Sequence, residues 1–298
     1  MTLQRIGRSL SFFLLSLGWL CPKAALAQDV VVVLSSESGP YQEALAGFRE
    51  SFSQPFATFV LSKGDPDIPK STRLIIAIGG KAAIYPYEAR KTPLIYCLAP
   101  GVYFDPVEHP GPQIQVYVSP PPRMLLHKLQ EVQPGLRRLG ALWVGDSSVS
   151  YGSTLTRVGE SMGVTVLQDR LRSLEELPDH LRAMKGRVDA FWIPPDPLLI
   201  TPQSFSMMRQ FSLDNDIPFY VSIDGLADKG AAAAVSVSFR EMGRKASLLA
   251  AQVLSGSAGQ TFSVYGDHVT LTINAPFAAQ SGLSIPADVL KRADRVIP

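Results

Sequence analysis

Short, unbroken apolar runs alternate with amphipathic segments of helical length through most of this chain. Val30–Leu34, Leu74–Ile78 and Leu94–Leu98 are such runs, whereas Phe239–Leu254 carries its apolar side chains at helical spacing. A strand that is covered by helices on both faces has no alternating polar positions, so these runs are typical of buried parallel sheets. The alternation therefore predicts an α/β chain in which helices pack on both faces of parallel sheets.

A proline-rich stretch divides the alternation into two series of similar size. Residues 99–122 contain seven prolines, which prevent helix formation and fix the direction of the chain. The 298 residues have room for two domains of about 150 residues each. We predict an α/β fold with two doubly wound parallel-sheet lobes joined by a hinge. In such sheets ligands bind at the carboxyl ends of the strands, so the gap between the lobes is the expected site.

The N-terminus carries the three regions of a secretory signal. Arg5 and Arg8 precede the apolar run Ser9–Leu20, and the small-residue triplet Ala25–Ala27 follows. The run is about 12 residues long, whereas a membrane-spanning helix needs about 20. We therefore expect cleavage near Gln28 and export to the periplasm, the alternative being an uncleaved N-terminal anchor.

Removal of residues 1–27 changes the charge and the cysteine count. This segment holds three basic side chains and no acid, so the rest of the chain has 25 basic and 26 acidic residues. A balance this close to neutral gives no support for nucleic acid as a partner. Cys97 is then the only cysteine, so an intrachain disulfide is excluded. Lipid attachment at Cys21 is not expected, because the bulky residues Trp19 and Leu20 precede it.

The sequence lacks the local motifs of common catalytic and metal sites. The four histidines are isolated in the sequence, with no cysteine or carboxylate at metal-ligand spacing. Neither G-x-S-x-G nor G-x-G-x-x-G occurs, and Gly80-Lys81 lacks the flanking residues of a phosphate-binding loop. We therefore expect no metal, no cofactor and no catalytic residue, and a binding protein rather than an enzyme.

Polar loops that follow the predicted strands supply the candidate ligand-binding residues. In chain order these are Ser35, Ser36, Glu37, Tyr41, Gly79, Gly80, Lys81, Asp146, Ser147, Tyr151, Asp196 and Asp224. Backbone N–H groups at a helix start can hold an anionic group, a lysine can pair with a carboxylate, and an aspartate can accept an ammonium group. Helix capping and tight turns use the same residue types, so both interpretations stay open for these loops.

Several segments resemble the ABC-transporter substrate-binding proteins, the family that includes binders of tryptophan and other aromatic amino acids. These segments are Ala77–Ala83, Leu139–Trp143, Val188–Pro197, Leu271–Pro286 and Arg292–Ile297. They keep the order that the family has, and together they extend over nearly the whole chain beyond residue 28. The C-terminal string is the most specific of them, because no general rule of folding demands it.

The resemblance implies a type I periplasmic-binding fold, in which three crossings connect two α/β lobes. On that pattern residues 28–118 and 238–262 form the N-terminal lobe, and residues 119–237 and 263–298 form the C-terminal lobe. It also implies capture of a solute in the inter-lobe cleft and delivery to the membrane permease of an ABC importer. We expect a monomer whose ligand is a small polar organic molecule.

Two other functions fit the same fold. One is a periplasmic ligand sensor or assembly partner of a membrane protein. The other is an exported enzyme that uses carboxylates of the cleft, such as Glu37 with Asp146. Loss of turnover with retained ligand affinity in Glu37→Gln would favour the enzyme.

Overall fold

The computed structural model describes residues 29–87, 91–102, 110–145, 149–257 and 261–298. The predicted signal peptide lies outside the described residues, as do the candidate site residues Asp146 and Ser147. Within the described ranges no helix is long and apolar enough to cross a membrane.

The strands and helices alternate along the chain, as the apolar pattern predicts. The described strands are β1 Val30–Leu34, β2 Phe56–Val60, β3 Leu74–Ile78, β4 Leu94–Cys97, β5 Gln113–Val116, β6 Arg138–Val144, β7 Thr165–Leu171, β8 Ala190–Ile193, β9 Phe219–Val221, β10 Ala233–Ser236, β11 Phe262–Val264, β12 Thr270–Asn274 and β13 Arg295–Ile297. The described α-helices are α1 Gly39–Ser51, α2 Gly80–Ala83, α3 Pro122–Val132, α4 Val149–Ser161, α5 Leu177–Met184, α6 Pro202–Asn215, α7 Phe239–Leu254, α8 Ala275–Gln280 and α9 Ala287–Arg292.

The described strands form two separate sheets. In the part of the chain that the structure describes, the first sheet has six parallel strands in the order β11-β5-β4-β3-β1-β2. The second has seven strands in the order β13-β12-β10-β9-β8-β6-β7, and β12 and β13 run opposite to the other five. The predicted fold class, two doubly wound and mainly parallel sheets, is confirmed.

Helices cover both faces of the first sheet. Val30 and Val32 of β1 point into a core with α1 and α7, whereas Val31 and Val33 point into a core with α2. All five residues of β1 are fully buried. The continuous aliphatic run in the sequence therefore has the expected physical cause, since neither face of the strand meets water.

Within the described ranges the chain passes three times between the two sheets. β5 lies in the first sheet and β6 in the second, β10 is followed by α7 on the first sheet, and β11 in the first sheet precedes β12 in the second. We call the first sheet with α1, α2 and α7 the first unit. The second sheet with the remaining helices, which share one core, is the second unit.

The structure differs from the sequence prediction at one helix in particular. The pattern predicts a helix over residues 173–184, capped by Ser173, but the chain forms a 3-10 turn at Leu174–Glu176 before α5, and Ser173 makes no capping bond. Pro178 explains the break, because it has no N–H to donate to the carbonyl four residues earlier. The short elements β11, α8, α9 and β13 are not predicted by the apolar pattern.

Candidate functional site

The loops after β1 and β3 meet at the carboxyl edge of the first sheet. The Ser35 hydroxyl accepts a hydrogen bond from the backbone N–H of Ala82 at 2.9 Å, which satisfies one free donor at the start of α2. Gly79, with φ +102°, lies against Ser35 and the ring of Tyr41, and a Cβ at this position would overlap both. Three of the predicted site residues, Ser35, Tyr41 and Gly79, are therefore neighbours.

Other predicted residues of the first unit lie at the surface. The carboxylate of Glu37 pairs with Lys63 at 2.6 Å, and both side chains are more than half exposed. Ser36 is half-buried and accepts a long 3.4 Å bond from the backbone N–H of Ser38. Lys81 is exposed on α2, next to the half-buried Gly80. Among the described residues, no hydrogen bond or ion pair joins these side chains to the second unit.

A small cavity lies between the two units, and we call it the Tyr151 cavity. Its volume is about 40 Å³. Pro100, Gly101 and Gln115 line it from the first unit, the 117–119 crossing lines its middle, and Tyr151, Pro194, Pro195 and Asp196 line it from the second unit. Loops at the carboxyl ends of parallel strands therefore face each other here, where a doubly wound fold places its ligand.

Tyr151 is held rigidly in the wall of this cavity. Its hydroxyl donates to the backbone carbonyl of Pro120 at 2.7 Å, and its ring stacks on Trp192 with centroids 5.5 Å apart. Burial raises the pKa of Tyr151 well above its ordinary value, and the neighbouring Tyr265 and Tyr117 raise it further. Tyr151 is therefore a neutral aromatic ring in the wall of this cavity.

Asp196 is buried, and its carboxylate accepts hydrogen bonds from the backbone around the cavity. One carboxylate oxygen accepts from the N–H of Val144 and the other from the N–H of Leu198, each at 2.8 Å. The first bond joins the end of β6 to the loop that follows β8. Asp196 lines the Tyr151 cavity, but these two hydrogen bonds already occupy both of its carboxylate oxygens.

A second, larger cavity adjoins the Tyr151 cavity, and Val118 lines both of them. It has a volume of about 380 Å³ and we call it the Asp224 cavity. Glu43 of α1 and Phe239 of α7 line it from the first unit, and Ser222, Asp224, Thr272, Asp294 and Arg295 are among the residues that line it from the second. Its lining combines hydroxyls, the carboxylates of Glu43, Asp224 and Asp294 and the guanidinium of Arg295 with apolar side chains.

Asp224 is not a free carboxylate. It accepts a hydrogen bond from the hydroxyl of Thr272 and pairs with the guanidinium of Arg295 at 3.2 Å. Arg295 also donates two hydrogen bonds of 2.8 Å to the carboxylate of Asp228. This pairing raises the pKa of Arg295 above its usual range. Glu43, by contrast, is exposed and has no ion-pair partner among the described residues.

Aromatic side chains connect the two cavities and two of the crossings. Tyr117 and Tyr265 lie on separate crossings, and their rings stack at 4.7 Å. The ring of Tyr151 packs edge-on against both of these rings, with centroid distances of 6.3 and 6.2 Å. Trp192 stacks on Tyr151 and donates to the Ser222 hydroxyl at 3.0 Å, which ties the walls of the two cavities together.

Sequence reasoning missed several residues that line these cavities, above all Gln115, Glu43 and Arg295. The available signal for Gln115 was weak, since it is a single polar residue within the otherwise apolar stretch Ile114–Val118. Glu43 and Arg295 belong to a helix and a C-terminal strand that meet only in the folded chain.

In the described part of the chain no group of three or more His, Cys, Asp or Glu side chains is arranged to hold a metal.

Comparison with solved structures identifies the fold. An ABC domain from Streptococcus pneumonia, solved in complex with L-Trp, superposes with a TM-score of 0.62 at 19% identity, covering 91% of this chain and 99% of that one. A ligand-free, open substrate-binding protein with adhesive properties from Clostridium difficile gives a TM-score of 0.61 at 16% identity, over 90% and 99% of the two chains. These similarities show the same two-unit periplasmic-binding fold.

Comparison with known sequences identifies the family. A tyrosine-binding protein of Clostridioides difficile (strain R20291) is 25% identical over 129 residues, which is 43% of this chain and 34% of that protein. The match thus spans about a third of the length of that relative. A family model described as ABC transporter substrate binding protein matches residues 124–297, more than half of the chain. The resemblance noted in the sequence is confirmed, and this chain belongs to the ABC transporter substrate-binding protein family.

Proposed function

We propose that this protein is the periplasmic solute-binding component of an ABC importer, and that it binds a small polar organic ligand between two lobes. The lobes correspond to residues 28–118 with 238–262 and residues 119–237 with 263–298, except that Ser263 and Val264 of β11 lie in the first sheet. On this proposal residues 1–27 are a cleaved signal peptide, and the partner is a membrane permease. The protein carries solute and catalyses no reaction.

The observation that carries the proposal is the pair of adjoining cavities between the two units. Gln115 and Glu43 approach from one side, and Tyr151, Asp196 and Asp224 approach from the other. A ligand that touches both sides binds the closed arrangement better than the open one. This difference in binding free energy makes closure depend on the ligand.

The size of the Tyr151 cavity supports a closing motion. Its volume of about 40 Å³ is far below the roughly 300–1,000 Å³ of typical ligand pockets. The Asp224 cavity, at about 380 Å³, is large enough for a small solute. We therefore infer that the lobes separate to admit the ligand and that both cavities then serve one site.

The chemistry of the lining favours an amino acid among polar solutes. Glu43 can accept the ammonium group, the hydroxyls of Ser222 and Thr270 can bind polar groups, and the Tyr151 ring supplies an aromatic wall. Of the similar proteins, one is a tyrosine-binding protein and another was solved in complex with L-Trp. Aromatic amino acids therefore belong first in a ligand panel.

Thermal unfolding of the chain without residues 1–27 tests the proposal against amino acids, small carboxylates and nucleosides. A ligand that binds the native state raises the Tm by an amount that grows with the logarithm of its concentration relative to its Kd. Small-angle scattering should then show a smaller radius of gyration with the ligand than without it. Binding with an unchanged radius would contradict closure.

Site variants locate the ligand. Glu43→Gln and Gln115→Ala, one from each cavity, should weaken binding, whereas Glu160→Gln should not. Glu160 is an exposed carboxylate of α4 that lines neither cavity. Equal affinity in all three variants would place the ligand elsewhere. Loss of uptake of the same ligand in cells that lack the protein tests the transport step.

A further inference from the structure

A third cavity lies on the flank of the second unit, away from the inter-unit cavities. We call it the flank groove. It occupies about 590 Å³ between the start of α6, the segment 226–230 and α8. Phe205, Leu226 and Phe277 form its apolar floor, and Arg209 and Lys229 stand at its rim. It shares no lining residue with the Tyr151 cavity or the Asp224 cavity.

Arg209 is positioned at this groove without an acidic partner. Its guanidinium carbon lies 5.7 Å from the centroid of the Phe277 ring, a cation–π arrangement. Gly230, with φ +107°, makes room for it, because a Cβ there would lie 2.6 Å from Nε and 2.8 Å from Cδ of the arginine. Among the described residues no carboxylate pairs with Arg209, so its N–H donors face the groove and the solvent.

The groove as a whole carries uncompensated positive charge. Lys229 adjoins Gly230, is exposed, and has no ion-pair partner in the described ranges. Asp228 is the acid in the described lining, but both of its carboxylate oxygens are bound by Arg295 at 2.8 Å. Two cations therefore stand beside an aromatic floor with no acid available to neutralise them.

We propose that the flank groove binds a small amphipathic molecule with a carboxylate head and an apolar body. The planar guanidinium of Arg209 can hold a carboxylate through two parallel N–H bonds, and Lys229 adds a second charge. The apolar body packs against Phe205, Leu226 and Phe277. The volume of the groove lies within the roughly 300–1,000 Å³ of small-molecule pockets. This site is independent of the solute that the two lobes capture.

Isothermal titration of the chain without residues 1–27 with phenylacetate tests the proposal. Phenethylammonium serves as the matched probe of opposite charge. Phenylacetate should bind, and any binding of phenethylammonium should be the same in Arg209→Gln as in the unmodified chain. Arg209→Gln should weaken phenylacetate binding about tenfold or more, the scale of one lost charge-assisted hydrogen bond. Arg209→Lys should retain part of the affinity, because it keeps the charge but loses the planar fork.

Control variants separate this site from the inter-lobe site. Lys185→Gln removes an exposed cation from the same unit outside the groove and should leave phenylacetate binding unchanged. Glu43→Gln tests whether the probe occupies the Asp224 cavity instead. The proposal fails if phenylacetate does not bind, if Arg209→Gln behaves like Lys185→Gln, or if Glu43→Gln abolishes binding. Failure here leaves the lobe-closure experiments unaffected, since they depend on the radius of gyration and on Gln115→Ala, neither of which involves the flank groove.

Discussion

The carboxylate of Asp196 accepts a hydrogen bond from the backbone N–H of Val144 at 2.8 Å. The two residues are 52 positions apart in sequence. Val144 is the last residue of β6, and Asp196 follows β8, the neighbouring strand in the sheet. Asp196 is only 4% exposed, so this bond is shielded from water. It fixes the position of the Pro194–Asp196 loop at the edge that faces the first unit.

Asp196→Ala should destabilise the protein by about 2 kcal/mol, because the N–H groups of Val144 and Leu198 each lose a charged acceptor. Urea unfolding followed by circular dichroism measures the change. Asp214→Ala is the matched control, since this carboxylate is exposed on α6, and we expect it to change stability by less than about 0.5 kcal/mol. Equal stability of the two variants would show that the buried carboxylate does not hold the loop.

Tyr151→Phe should reduce the free energy of unfolding by about 1 kcal/mol. The variant keeps the ring that stacks on Trp192 but removes the hydroxyl that donates to the Pro120 carbonyl. Tyr41→Phe is the control, because the Tyr41 hydroxyl makes no hydrogen bond among the described residues. A thermal scan of both variants without ligand checks the prediction. A Tm for Tyr151→Phe as high as that of Tyr41→Phe would contradict it.

Local sequence patterns predicted most of the fold. Val30–Leu34, Leu74–Ile78 and Phe239–Leu254 have the predicted bounds in the structure. Each pattern is local, since an aliphatic run or a helical repeat of apolar residues is stabilised by the same burial wherever the element packs. The three-residue strand β11 lacks such a pattern, because it is too short and only partly buried.

The site could be predicted only in outline. The rule that ligands bind at strand ends selected Tyr151 and Asp196, and both line the Tyr151 cavity in the structure. It could not show that Asp196 binds a backbone N–H 52 residues away, or that Glu37 pairs with Lys63 at the surface. Glu43 and Arg295 line one cavity only because the crossings bring α1 near β13. Such long-range neighbours leave no trace in a single sequence.

Helices α1 and α7 pack through two glycines, which explains how a helix that follows β10 docks on the first unit. A Cβ at Gly243 would overlap the carbonyl of Ala44 and lie 2.9 Å from the nitrogen of Phe48. A Cβ at Gly47 would overlap the carbonyl of Arg240 in the same way. All the obstructing atoms are backbone, so neither helix can relieve the clash by moving a side chain.

Gly243→Ala should therefore destabilise the protein by about 3 kcal/mol, the upper part of the range for overpacking, despite the better helix propensity of alanine. Gly135→Ala is the control, because no atom lies within 4 Å of a Cβ at that position. Denaturant midpoints for the two variants give the comparison. If Gly243→Ala is as stable as Gly135→Ala, the close approach of the two helices is wrong.

Asp189 ties the start of β8 to the start of β6. Its carboxylate accepts from the backbone N–H groups of Arg137 and Arg138 at 2.9 and 2.8 Å, and from the Arg138 guanidinium at 2.6 Å. Burial by itself would raise the pKa of Asp189, but the hydrogen bonds from Arg138 and from the two backbone N–H groups together hold it below the usual value.

This lowered pKa predicts the pH range in which Asp189 stabilises the fold. A carboxyl whose pKa is lower in the folded chain than in the unfolded chain, where it is about 3.9, stabilises the native state above that value. The stabilisation is lost as the pH falls through the lowered folded pKa. Asp189→Asn should therefore cost about 2 kcal/mol at pH 7, and the difference from the unmodified chain should shrink below about pH 4. Urea unfolding at pH 7, 5 and 3.5 measures it, with Glu160→Gln measured in parallel as the control for general acid destabilisation. A difference that stays constant down to the lowest pH would mean that the hydrogen bonds to Asp189 do not favour its ionised form.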